Sequence, residues 1–228
     1  MNTRTIFAAV LIVIAVAAAV IIMSRTGGVG PLRGTPTPLS SVEVRSYQGE
    51  DLSSISAFHE NSIKGPQHIN ESEYRLTVTG LTNMTNVYTY REVLDQYPHF
   101  SKVVTLFCVE GWDATILWEG VLVRDLITTA GPDPRANTVV FTAHDGYTTS
   151  FPLAYLMDRD IIMASTMNNV TLPAERGFPF ALVAEDRWGY KWIKWIGKIE
   201  LTDDPAYRGY WEQRGYSNEG DLNRSYYS

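Results

Sequence analysis

The longest apolar pattern in the chain is also its simplest. Residues 6–23, IFAAVLIVIAVAAAVIIM, run without a polar break between Arg4 and Arg25. At 1.5 Å per residue a helix of that length spans roughly 27 Å, enough for the hydrocarbon core of a bilayer. A cleaved export signal has a shorter apolar region ending in a small-x-small site. Here Ala17 and Ala19 lie inside the run, so an uncleaved anchor is expected. One arginine on each side leaves its orientation weakly determined. Residues 24–41 then lose all apolar periodicity and become rich in Gly, Pro, Ser and Thr, the composition of a flexible tether.

From residue 42 onward the pattern becomes that of a folded domain. Residues 74–80, YRLTVTG, alternate with period two and predict a half-buried strand ending on glycine. Residues 88–97 predict a short helix with Val93 and Leu94 inward, and residues 121–130 a second one. The latter places Leu122, Leu126 and Ile127 on one face and stops before Gly131-Pro132. Between them, residues 103–108 form a β-branched apolar strand that ends on Cys108. Residues 138–143 are another such strand, and His144-Asp145-Gly146-Tyr147 after it predicts a hairpin turn built by Asp-Gly. A Pro-initiated helical turn is expected over 151–157, a buried strand over 161–166 and a loop over 167–177. Residues 186–200, DRWGYKWIKWIGKIE, mix apolar and lysine positions as a membrane-surface helix would. Gly189, Gly197 and the β-branched residues favour a turn running into a strand instead. Residues 56–67 read as a polar surface loop with His59 solvated. The tail, residues 207–216, is dense in Tyr, Trp and Arg, suited to capping the domain by Arg-aromatic packing or to presenting a partner surface, with capping favoured.

Composition narrows the class. A chain of 228 residues that is 45% hydrophobic and 12% aromatic can bury one substantial core, and nothing asks for two. The expected organisation is an anchor over residues 1–23, a linker over 24–41 and one α+β domain over 42–228. A net charge of −6 and no basic stripe exclude nucleic acid as a partner. A single cysteine excludes an intrachain disulfide and any multi-cysteine metal cage. N-x-S/T sequons at Asn70, Asn83, Asn169 and Asn223 tilt the domain toward an exported location.

Candidate chemistry centres on residues 103–120, VVTLFCVEGWDATILWEG. A lone cysteine at a strand end is either a small buried hydrophobe or a thiolate that holds a soft metal or acts as a nucleophile. Cys108, Gly111 and Trp112, followed by Trp118, Gly120 and Val121, resemble the motif of the sulfite oxidase-like molybdopterin family. In that family the cysteine sulfur ligates molybdenum, a role that suits a soft thiolate. Further matches lie in the family's order. Phe58 and Asn61 fit a cofactor-contacting segment, although Glu60 stands where a basic residue is frequent and Ser62 where a histidine is. Gly177 and Pro179 match a His-Gly-x-Pro-x-Arg segment, with Arg176 at the histidine position and Ala181 in place of the arginine. Gly189, Lys191, Lys194 and Trp195 match the Gly-x-Lys-x-x-Lys-Trp segment that cradles the pterin phosphate, and lysines beside a glycine turn suit a phosphate monoester.

The resemblance implies a mixed, β-rich α+β fold of the sulfite oxidase-type molybdopterin-binding class, preceded by one N-terminal transmembrane helix. It implies molybdenum-molybdopterin as cofactor, Cys108 as metal ligand and catalytic centre, and Asn61, Asp145, Arg176, Lys191 and Lys194 as cofactor-binding residues. The expected reaction is oxygen-atom transfer, either sulfoxide reduction or sulfite-type oxidation, fed by a membrane or soluble electron-transfer partner. Glu60 near the pocket makes a neutral sulfoxide at least as expected as anionic sulfite. The family's immunoglobulin-like dimerisation domain and haem domain have no room, so a monomer on a membrane tether, with an extracytoplasmic catalytic domain, is expected. Ala181, and Arg4 standing without a second arginine beside it, motivate an alternative: a cofactor-free extracellular binding module that keeps the fold. A third reading, an unrelated thiol enzyme, needs a histidine base, and neither His99 nor His144 is tied to Cys108 by a motif.

Overall fold

The computed structural model describes residues 42–228; the expected anchor over residues 6–23 and the tether over 24–41 lie outside the described residues. Among the described residues no helix is long and apolar enough to cross a membrane. A small ribbon comes first, β1 (Ser46–Tyr47) paired with β2 (Glu50–Asp51). After an irregular stretch, the period-two segment forms β3 (Leu76–Gly80), with Leu76 and Val78 buried and Thr77 and Thr79 half-buried. Strand β4 (Asn86–Tyr88) returns beside it and leads into α1 (Tyr90–Gln96).

That helix starts where it does because Thr89 and Glu92 cap each other. Thr89 Oγ1 accepts from the Glu92 N–H at 3.2 Å, and the Glu92 carboxylate accepts from the Thr89 N–H at 2.7 Å. Val93 is buried and Leu94 packs against the core, as the pattern predicts.

The β-branched run becomes β5 (His99–Phe107), which pairs along its whole length with β6 (Asp113–Leu122). Directly after β6 comes α2 (Val123–Ala130), burying Val123, Leu126, Ile127 and Ala130 on one face. Strands β7 (Thr138–Ala143) and β8 (Thr148–Pro152) form the hairpin expected around Asp145-Gly146. Pro152 then caps the short α3 (Leu153–Met157). Strands β9 (Ile162–Met167), β10 (Val170–Thr171) and β11 (Ala181–Leu182) follow, so the segment read as a loop over 167–177 contains a two-residue strand. Residues 186–200 make one tight turn, Gly189–Lys191, and then β12 (Ile196–Thr202), not a membrane-surface helix.

Two five-stranded sheets result. One runs β10-β9-β6-β5 with β11 also on β9, and the other β4-β3-β12-β7-β8. All pairs are antiparallel except β3 with β12, where Val78 opposes Ile199. The architecture is therefore mixed and β-rich, with three short α-helices and three single 3-10 turns among the described residues. A single buried cluster takes side chains from both sheets and from the helices, for example Leu76, Phe141 and Ile199 with Ile116, Met163 and Leu126. Each such side chain contributes about 1.5–3 kcal/mol by leaving water.

Candidate functional site

Cys108 is the first residue beyond the β5–β6 ladder, whose last pair is Phe107 with Asp113. The loop closes tightly: the Cys108 N–H donates to the Trp112 carbonyl at 2.9 Å, and the Gly111 N–H donates to the Cys108 carbonyl at 3.1 Å. Gly111 has φ +89°, a conformation that a side chain rarely tolerates. A thiol at the end of nine paired residues has a fixed position, which a ligand needs more than a loop residue does.

The thiol is only 8% exposed, yet it faces a cavity of about 480 Å³. That volume lies within the range of small-molecule sites. Asn61, Asp145, Arg176 and Lys194 line the same cavity, so five of the six residues singled out from the sequence come together there. They arrive from the loop after β2, the β5–β6 loop, the β7–β8 hairpin, the turn before β11 and the approach to β12.

Asn61 reaches the sulfur. Its Nδ2 lies 3.7 Å from Cys108 Sγ and 3.0 Å from Glu110 Oε2, and Trp112 Nε1 also donates to Glu110 Oε2, at 3.1 Å. Those two donors hold the Glu110 carboxyl below its usual range. Burial pushes the Cys108 thiol up, and the Glu110 charge adds to that, against opposing hydrogen bonds from the Glu110 and Val109 backbone and from Asn61. A thiol so held is a poor free nucleophile, and its side-chain partner is an amide, not a histidine base.

Asp145 is 1% exposed. Its Oδ1 accepts from the Tyr147 N–H at 2.8 Å, while Oδ2 has no partner. An orphaned carboxylate oxygen at a cavity wall is a ready acceptor for N–H groups of a bound molecule. Thus Asp145 serves the hairpin turn and faces the cavity at once. His144, by contrast, packs on Tyr74 at 5.6 Å between ring centres and is not a wall residue.

The cations behave differently from the expectation. Lys194 Nζ lies on the cavity wall, 2.5 Å from Glu60 Oε1 and 3.2 Å from the Glu175 carbonyl. Burial pulls its pKa down against the attraction of Glu60. Arg176 lines the cavity but spends its guanidinium on the carbonyls of Ile55, Phe58 and His59 at 2.7, 2.7 and 3.2 Å, and stacks 3.9 Å from the Phe58 ring centre. It braces the Asn61 loop. Lys191 is not among the cavity-lining residues: its fully buried Nζ donates to Glu212 Oε1 at 2.7 Å and to the Ser150 and Asn218 carbonyls at 2.7 and 2.9 Å. All three ammonium protons are committed, so none is left for a phosphate.

These residues fit a molybdopterin. No group of three His, Cys, Asp or Glu among the described residues is placed to hold a metal, so a metal at Cys108 must bring most of its ligands with it, as a dithiolene cofactor does. Gly189 supplies a close approach: a Cβ there would lie 3.1 Å from the Phe107 carbonyl oxygen and 3.4 Å from Cys108 Cα. Ala181, standing where the resembled family has an arginine, lines the cavity without charge.

Several wall residues were not legible in advance. His59, read as solvated, lines the cavity and packs 6.1 Å from Trp112. Glu110, between Cys108 and Gly111 in the motif, also lines the cavity and carries the carboxylate that meets Asn61. Tyr147, Trp211 and Tyr216 also line it, and only the Tyr/Trp density of the tail hinted at the last two.

The "Oxidoreductase molybdopterin binding domain" family model matches residues 63–211. The putative protein-methionine-sulfoxide reductase subunit YedZ1 of Azospira oryzae is 33% identical over 161 residues, 69% of this chain and 60% of that protein. The protein-methionine-sulfoxide reductase catalytic subunit MsrP of Gluconobacter oxydans is 26% identical over 210 residues, 82% of this chain and 67% of that protein. Among solved structures, the sulfane dehydrogenase SoxCD from Paracoccus pantotrophus superimposes with a TM-score of 0.60 at 22% identity, covering 68% of this chain and 43% of that one. That likeness identifies the sulfite oxidase-type fold. The chain spans less than two thirds of the length of the Azospira protein.

Proposed function

The chain belongs to the oxidoreductase molybdopterin binding domain family and its cofactor is molybdenum-molybdopterin; from that premise we propose that it reduces neutral sulfoxides, methionine sulfoxide foremost. The cofactor supplies two-electron oxygen-atom-transfer chemistry. In balance, R₂S=O takes two electrons and two protons to give R₂S and water, the electrons coming from an external reduced carrier. Cys108 Sγ would be the protein's ligand to the metal, and Asn61 beside that sulfur, Asp145 through its unpartnered Oδ2 and Lys194 on the cavity wall would hold the organic part of the cofactor. Arg176 acts indirectly, by holding the loop that carries Asn61.

One observation carries the choice of a neutral substrate. Of the two basic residues among the described lining residues, Arg176 is committed to backbone carbonyls and Lys194 to Glu60 here and to the cofactor phosphate when loaded, while the Glu60 and Glu110 carboxylates share the wall. An anion such as sulfite would enter this field without an uncommitted permanent cation to meet it. The names of the Azospira and Gluconobacter relatives, a putative protein-methionine-sulfoxide reductase subunit and a protein-methionine-sulfoxide reductase catalytic subunit, support the same substrate class.

The apolar run over residues 6–23 supports a membrane anchor, and the N-x-S/T sequons support a catalytic domain outside the cytoplasm, beside its electron carrier.

The test uses natively expressed protein. Stoichiometric molybdenum that is lost in Cys108→Ser is expected, as is viologen-driven reduction of methionine sulfoxide far exceeding oxidation of sulfite. Metal-free protein would overturn the enzyme reading in favour of a binding module, and dominant sulfite oxidation would overturn the substrate.

A further inference from the structure

The family match ends at residue 211, but the chain goes on to build part of the cavity. Trp211, where the match ends, and Tyr216 beyond it both line the cavity, their rings 5.2 Å apart, and Tyr216 meets Tyr190 edge-on at 5.0 Å. The aromatic surface continues outward from the wall. Tyr216 lies 5.3 Å from Tyr227, which is 59% exposed, and Trp211 is itself 36% exposed. Phe107, the residue before Cys108, is 39% exposed, and its backbone bridges to that of Trp188, whose ring meets Tyr226 at 5.4 Å. Apolar surface of this kind, continuous with a cavity, marks a binding face.

The tail is held in place from both sides of Tyr216. Before it, buried Glu212 accepts from Lys191 Nζ and from Thr149 Oγ1, each at 2.7 Å. After it, the Ser217 carbonyl accepts from the Tyr190 hydroxyl at 2.7 Å, the Asn218 carbonyl from Lys191 Nζ at 2.9 Å and the Gly220 carbonyl from the Trp188 N–H at 2.8 Å. The lysine that the motif suggested for the phosphate thus fastens the tail against the turn carrying Gly189. Rings fixed in this way meet a ligand at little entropic cost.

Resting on the sulfoxide reading above, we infer that Trp211 and Tyr216 are specificity-determining residues that take the apolar flanks of a methionine sulfoxide carried in an extended peptide. Aromatic faces suit thioether sulfur and aliphatic side chains. The occupant is a flexible, uncharged or basic peptide segment, because the neighbouring carboxylates Glu60 and Glu110 disfavour an acidic one. A small free sulfoxide reaches the chemistry but gains nothing from the outer rings.

The experiment compares two substrates on the molybdenum-loaded full chain with a reduced viologen as donor. One is a capped heptapeptide with a central methionine sulfoxide between leucines, and the other is dimethyl sulfoxide. Trp211→Ala and Tyr216→Ala should raise the ratio of peptide KM to dimethyl sulfoxide KM on the order of tenfold, as truncating a buried interface aromatic does. Calorimetric titration of the peptide without donor should show the dissociation constant rising by the same factor. Tyr216→Phe should keep the wild-type ratio, since the ring remains. Melting temperature and molybdenum content select variants that are folded and loaded, and Trp211, being partly exposed, supplies one if Tyr216→Ala is not. An unchanged ratio in a folded, loaded Trp211→Ala overturns the inference while leaving sulfoxide reduction intact. Wild-type protein that reduces neither substrate overturns the reading beneath it as well.

Discussion

Lys191 and Lys194 stand three positions apart in one motif, and the fold sends their ammonium groups to different tasks. Lys191 pairs with Glu212 with both side chains at 0% exposure, whereas Lys194 lies on the cavity wall. The intervening backbone is not helical: one tight turn, Gly189–Lys191, gives way to an irregular approach in which Trp195 has φ +53°. Removing one partner of a buried pair leaves an uncompensated charge. Lys191→Met should therefore destabilise the protein by about 3–5 kcal/mol in urea unfolding. Lys191→Met with Glu212→Leu should recover most of that loss, an outcome that a lysine serving the cofactor alone would not produce. Cys108 shows the opposite situation. Its thiol is nearly inaccessible, as a buried hydrophobe's is, and still stands on the wall of the cavity.

At the scale of elements, local signals were sufficient wherever the rule is local. The apolar spacing over 88–97 places α1, although the Thr89-x-x-Glu92 box that starts it showed only in the structure, and the end of the β-branched run falls within one residue of the end of β5. Thr89→Ala should cost about 1 kcal/mol through the lost cap. The cap also has a pH signature. The Thr89 N–H and hydroxyl hold the Glu92 carboxyl below its ordinary value of 4.5, so its contribution is complete above that value and is lost as pH falls through the lower folded value. Glu92→Gln should accordingly show a shallower loss of stability on the acid side, measured by urea midpoints across that range. The loop after β2 was less legible. Its polar sequence predicts a surface segment with a solvated His59, and its position over the cavity comes from three carbonyls gripped by Arg176, more than a hundred residues later.

For the molecule as a whole, the cavity is where elements distant in the chain converge, so it should be the part most stabilised by what it binds. Cofactor-loaded protein should melt above the cofactor-free form, with stabilisation near 2.7 kcal/mol at a hundredfold excess over the dissociation constant. The gap between the two melting temperatures should narrow in Cys108→Ser, and scanning calorimetry on both forms checks it. Sequence by itself determined β3, β7, β9 and the short helices, the single cysteine at a strand end and the family motif around it, because period and turn chemistry act over a few residues, whereas β6, the ten-residue partner of β5, emerged only in the fold. Only the tertiary structure decided that Glu60 takes Lys194, 134 positions away, that Arg176 braces a loop and that the tail walls the cavity. Those choices depend on which buried charges find a partner and which rings find a neighbour across the packed sheets, and no local pattern encodes them.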